Sequence, residues 1–159
     1  MTPLKKINRS IPSEVNIESL KDAVMSFVAE SSANETGASE VGLYQQTIEN
    51  IAASTIYKQD ESRQLWLYWD SEGKVLSYLL AHVSKDVDNQ LCYWVTQAWV
   101  HDSLKGSSIV KEGYQQLQEE AKRLLCKHII VPTSRNPKSF CRFLGSDWHT
   151  YVTLIKKDL

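Results

Sequence analysis

The sequence predicts a mixed α/β fold, a sheet with helices on both faces, and three observations carry that reading. Apolar residues recur at three-and-four spacing over residues 17–28, 41–52 and 110–125, the signature of helices packed by one face. Over residues 64–83 and 91–100 the period changes to two, and short polar turns join these extended runs into a three-stranded antiparallel meander. A helical stripe then separates residues 91–100 from the short apolar run HIIVP, so that crossover predicts a parallel strand pair. The predicted order is β-α-α-β-β-β-α-β-α-β in one domain, 1–159.

The opening run PLKKINRSI, with Leu4, Ile7 and Ile11 alternating behind Pro3, suits a short edge strand. Ile17, Leu20, Val24, Phe27 and Val28 make the stripe of the first helix, with Ser13 or Asn16 as its cap. Residues 31–40, SSANETGASE, are polar around Gly37 and read as a mobile surface loop. Val41, Tyr44, Ile48, Ile51 and Ala52 form the inward stripe of the second helix.

In the strand LWLYW both faces are apolar, Leu65, Leu67 and Trp69 opposite Trp66 and Tyr68, which requires cover on both sides of the sheet. Gly73 suits the φ > 0 position of the hairpin turn that follows. In LCYWVTQAWV strict alternation places Trp94 and Trp99 on opposite faces, whereas a bulge near Thr96 or Gln97 returns them to one and frees backbone groups for a ligand. The third helix turns Val110, Tyr114, Leu117, Ala121, Leu124 and Leu125 inward, with Gly113 allowing close approach and Gln, Glu and Lys outside. Asn136-Pro137 reads as a cap and first helical residue, the break near Gly145 ends that helix, and WHTYVTLIKKDL reads as the last strand.

Composition narrows the function. The formal net charge is −1 and no basic block interrupts the mixture, so the electrostatic footprint of a nucleic-acid binder is missing. The N-terminus carries no apolar signal region and no apolar run approaches a membrane span, which predicts a soluble cytoplasmic protein. Cys92, Cys126 and Cys141 are odd in number without a C-x-x-C pair, and His82, His101, His128 and His149 are scattered, so neither a disulfide framework nor a metal site is expected.

The stretch of residues 91–125 reads as strand, tight polar turn and helix, with the N–H groups of residues 105–109 opening toward an anion. VHDSLKGSSIV places Val100, Lys105, Gly106, Ser108 and Val110 where the GCN5-related N-acetyltransferase superfamily has Val, Arg, Gly, Gly and Gly. With the element order, this resembles that superfamily over essentially the whole chain. A second stretch, Asn136-Pro137-Lys138-Ser139-Phe140-Cys141-Arg142-Phe143, is similar to the family's Asn-x-x-Ala-x-x-[Phe/Leu]-Tyr, with Phe143 in place of the Tyr that protonates the departing thiolate. The resemblance implies acetyl-CoA held by Ala98, Trp99, Val100, Lys105, Gly106, Ser107, Ser108, Ile109, Val110 and Asn136, and acetyl transfer to an amine.

Such chemistry asks for a base to deprotonate the amine and donors for the developing oxyanion. No Asp or Glu lies in residues 91–100, where the family often carries its base. Gln97 can orient a water, and Tyr93, Tyr151 and His101 are candidates by position, though the tyrosines fit packed sheet residues better and His101 a turn residue better still. The altered glycine positions, Phe143 and the missing carboxylate also fit a second reading. In it the fold is a non-catalytic binding or assembly module, such as a viral or phage structural or accessory protein, working as an oligomer or with a protein partner.

Overall fold

The computed structural model describes residues 3–33, 39–131 and 137–149. Among them a five-stranded sheet has the order β1-β2-β3-β4-β5: β1 (Lys5–Ile7), β2 (Arg63–Trp69), β3 (Val75–Lys85), β4 (Leu91–Val100) and β5 (His128–Ile130). β1 to β4 pair antiparallel and β5 runs parallel to β4, as the meander and crossover predict. Four α-helices complete the layers: α1 (Ile17–Ala33), α2 (Glu40–Ser54), α3 (Ser108–Arg123) and α4 (Pro137–Leu144).

The two faces of β2 do what their composition demands. Leu65 and Leu67 face a core built with Leu20, Val24 and Val28 of α1 and Ile51 of α2. Trp66, on the other face, joins Tyr114, Leu117 and Ala121 of α3 and Leu144 of α4. The sheet is therefore sandwiched between α1 and α2 on one side and α3 and α4 on the other. Among the described residues no helix is long and apolar enough to cross a membrane.

Asn16 is the residue that caps α1, accepting from the Ser19 N–H, and its own N–H donates to the carbonyl of Gly73 at 2.8 Å. Gly73 has φ +83°, so the hairpin turn forms as expected and at the same time holds the start of α1. The bulge in β4 is also present. Leu80 faces Gln97 and Ala81 faces Val95, leaving Thr96 as the extra residue. Trp94 stacks on His82 and Trp99 on Tyr78, four residues apart on β3, so both tryptophans share one face.

Several expectations need correction. β1 is shorter than the run PLKKINRSI because the Gln116 side chain takes both Leu4 N–H and Leu4 C=O, at 2.9 and 3.0 Å, in place of a strand. The predicted loop at residues 31–40 is invaded from both ends: α1 continues through Ala33, and Ser39 caps an α2 that starts at Glu40. In α2 the buried face is Thr47, Ile51 and Ser54, with Val41 and Ile48 exposed. Thr47 tolerates burial because its hydroxyl donates to the Leu43 carbonyl and accepts from Gln97 Nε2.

In α3, Gly113 admits Leu4 of the N-terminal segment, whose Cδ1 would lie 3.1 Å from an added Cβ. The helix stops at Arg123, and Leu125 adopts φ +61° just past it, which sends its side chain to solvent rather than inward. Glu120, assigned to the outer face, is buried. Trp148 and His149 are not strand; the Trp148 N–H donates to the Gly145 carbonyl in a turn, and the remainder of the predicted last strand lies outside the described residues.

Candidate active site

The ladder between β4 and β5 covers only Cys92, Tyr93 and Trp94 against His128, Ile129 and Ile130. Beyond Trp94, where the Thr96 bulge turns β4, none of the described residues continues the pairing, and a cavity of about 470 Å³ opens there. Its floor is β4 itself, Val95 to Val100, and its far wall is the start of α3 with Ile109, Val110 and Tyr114. α1 closes a third side with Phe27, Glu30 and Ser31. A sheet that splits at a bulge thus creates both the space and an edge of β4, unpaired among the described residues, suited to an extended ligand.

The turn leading into α3 is a short 3-10 segment, Asp102–Leu104, capped by His101, whose Nδ1 accepts from the Ser103 N–H. Lys105 and Ser107 donate their N–H groups back to the Asp102 and Leu104 carbonyls. Two of the N–H groups that the sequence directs at an anion are therefore used inside the turn. Those of the first turn of α3 remain: Ser107 is its N-cap but makes no side-chain cap, because the Ser107 hydroxyl donates to the Leu104 carbonyl at 2.6 Å. Gly106 has φ +74°, with open space where a Cβ would stand.

A smaller cavity of about 160 Å³ adjoins this turn, bounded by Lys105, Gly106 and Val110 on one side and by Ser139, Phe140 and Phe143 of α4 on the other. Val100, Val110 and Phe140 line both cavities. The branched side chain of Val110 packs against the α3–α4 core.

The predicted site residues thus fall into groups. Ala98, Trp99, Val100, Ile109 and Val110 line the large cavity, and Lys105 and Gly106 the small one, while Ser107 and Ser108 open α3 between them. Lys105 Nζ lies 2.7 Å from Asp102 Oδ1 and 3.7 Å from Glu30 Oε1, linking the turn to α1; its hydrogen bond holds the Asp102 carboxyl below the usual carboxylate range. Gln97 is buried in the cavity floor, its Oε1 accepting from the Tyr78 hydroxyl and its Nε2 donating to Thr47. Asn136 and Tyr151 lie outside the described residues.

Tyr93 sits elsewhere. Its fully buried hydroxyl donates to Gln64 Oε1 at 2.7 Å and accepts from Trp66 Nε1 at 3.0 Å, inside the core beneath α3, and burial pushes its pKa upward. Glu30 went unforeseen, and it brings a carboxylate to the cavity wall. Trp99, one of the predicted site residues, presents an indole N–H that is buried with no hydrogen-bond partner among the described residues. Extending the stripe of α1 by one turn from Phe27 leads to Glu30 and Ser31, a signal masked by the polar composition of residues 31–40.

Solved structures share this architecture over nearly their full lengths. An acetyltransferase from Trypanosoma brucei is 14% identical with a TM-score of 0.61, the match covering 98% of this chain and 99% of that one. Glucosamine-6-phosphate N-acetyltransferase from Arabidopsis thaliana is 13% identical with a TM-score of 0.60, covering 97% of each chain. AAC(6')-Iy, solved with the bisubstrate analogue CoA-S-monomethyl-acetylneamine, is 13% identical with a TM-score of 0.64, covering 98% and 97%. No family model matches the sequence, and no curated protein matches it significantly. The chain has the fold of the GCN5-related N-acetyltransferases.

Proposed function

We propose that the protein transfers an acetyl group from acetyl-CoA to an amine. The observation that carries this is the cavity at the β4–β5 split, which borders the start of α3, where no side chain caps the helix. Uncapped N–H groups and the positive end of a helix dipole suit a diphosphate, and Gly106 leaves the approach to them open. Ser108, Ile109 and Val110 would hold the diphosphate through their backbone, with Lys105 adding charge. The edge of β4 along Gln97, Ala98 and Trp99, unpaired among the described residues, suits an extended arm bearing amides, and the Trp99 indole N–H, without a partner among those residues, is a donor for it. Acetyl-CoA, when bound, supplies its acetyl group as a thioester, so transfer forms the C–N bond of an amide while the C–S bond breaks and the CoA thiolate leaves.

Glu30 is the carboxylate on the cavity wall, and we assign it the proton that the amine sheds. Phe143, beside the turn, has no proton for the thiolate, which therefore draws one from solvent. Gln97, tied to Thr47 and Tyr78, holds the floor of the site rigid. Calorimetric titration with acetyl-CoA tests the reading, and absence of binding at about 1 mM ligand would end it in favour of a non-catalytic module. With binding established, Glu30→Gln should lower kcat by roughly 100-fold or more while leaving acetyl-CoA affinity within about threefold.

A further inference from the structure

On the sheet face covered by α1 and α2 lies another cavity, of about 450 Å³, between α2 and the strands. α2 supplies the amides of Gln46 and Asn50, and the strands supply Arg63 and His82. Arg63 and His82 are directly opposed across the β2–β3 ladder, and the imidazole stacks on Trp94 with ring centroids 6.4 Å apart. Burial, and secondarily the neighbouring guanidinium, lowers the His82 pKa, so the ring is neutral at pH 7. Among the described residues no carboxylate lines this cavity, and Arg63 enters no ion pair with any of them. The guanidinium is the one charged group among the described lining residues, and the amides of Gln46 and Asn50 add neutral donors and acceptors to the same cavity.

This cavity is continuous in its walls with the one at the β4–β5 split: Phe27, Ser31, Thr96 and Gln97 line both. The Thr96 bulge is their common partition, and Glu30 stands on the side where acetyl transfer would occur. We propose that the polar cavity seats the acceptor, and that the acceptor is a small primary amine carrying a carboxylate or phosphate. Arg63 binds the anion with help from Asn50 and Gln46, and the amine end passes the bulge toward Glu30. This rests on the acetyltransferase reading above. A polycationic amine is disfavoured, since it would meet Arg63 with no lining carboxylate to offset the repulsion.

The test is steady-state release of the CoA thiol by the whole chain with matched acceptors, phosphoethanolamine against ethanolamine and β-alanine against propylamine. The anionic member of each productive pair should have a kcat/KM about tenfold higher or more, as expected for a charge-assisted contact. Arg63→Gln should shrink that ratio by about tenfold, chiefly through KM, with acetyl-CoA affinity by calorimetry equal to the parent's. A missing preference, or one that survives in Arg63→Gln, overturns the proposal. The amines are also titrated without acetyl-CoA, which separates the two readings. Binding of phosphoethanolamine or β-alanine that Arg63→Gln weakens supports the acceptor site even where acetyl-CoA fails to bind. Equal binding by parent and variant, or none to either, overturns it.

Discussion

The carboxylate of Glu120 is buried against the sheet and accepts hydrogen bonds from Lys6 Nζ at 2.7 Å, Gln64 Nε2 at 2.9 Å and the Arg123 guanidinium at 2.8 and 2.9 Å. Arg123 above all, with Lys6 and Gln64, outweighs burial and holds its pKa at about 2, below the ordinary 4.5. A carboxylate with a depressed folded pKa contributes stability above its unfolded pKa and loses it as the pH falls through the folded value. Urea midpoints should therefore hold from pH 7 to about 5 and decline between about pH 5 and 2. Glu120→Gln should cost about 1–3 kcal/mol at pH 7 and flatten part of that decline. Tyr93 belongs to the same buried network through Gln64 and Trp66. Tyr93→Phe should lower stability by about 1 kcal/mol with kcat unchanged, read by urea unfolding beside the CoA-release assay; a large fall in kcat would restore Tyr93 as a catalytic candidate.

At the scale of elements, the β2–β3 turn and the β4 bulge each do two jobs. Gly73 turns the hairpin and anchors α1 through its carbonyl, and a Cβ there would overlap the Glu14 carbonyl oxygen at a φ of +83°. Gly73→Ala should cost about 3 kcal/mol or more, combining left-handed strain with that clash. Gly106→Ala meets open space and should cost only the backbone strain, about 1–2 kcal/mol; thermal melts of the two variants give the order. The bulge was legible as one of two options, because an extra residue near Thr96 or Gln97 returns Trp94 and Trp99 to one face. The face of α2 was not, because Thr47 becomes a core residue only when Leu43 and Gln97 satisfy its hydroxyl. Deleting Thr96 would leave Gln97 opposite Leu80 and Val95 opposite Ala81 in a regular ladder with their faces unchanged, and the chain should keep a cooperative unfolding transition by near-UV circular dichroism.

For the whole molecule, acetyl-CoA bound at the β4–β5 split would touch β4, α1 and α3 together, so its binding energy becomes folding energy. At 100 times its Kd it should add about 2.7 kcal/mol and raise the melting temperature by several degrees, which a thermal-shift titration measures. Lys105→Ala should weaken that stabilisation by only about 1 kcal/mol, since Lys105 already faces Asp102 and Glu30. Removal of one cation with a much larger loss would mean that Lys105 abandons those carboxylates for the ligand.

What the amino-acid order determined by itself was local and periodic. The change from helical to strand spacing, the glycine at the hairpin, the doubly apolar β2 and the strand-turn-helix from β4 into α3 follow from side-chain size, polarity and backbone freedom over a few neighbouring residues. The site needed distance in sequence to become closeness in space. Glu30 and Lys105 are far apart in the chain yet their charged groups lie 3.7 Å apart, and Arg63, His82 and Asn50 converge only because β2 pairs with β3 beneath α2. Polar residues carry no periodic signal that says whether they face water or each other. Burial of Glu120, Thr47 and Gln97 was decided by partners from other elements, and so was the place where β4 and β5 part.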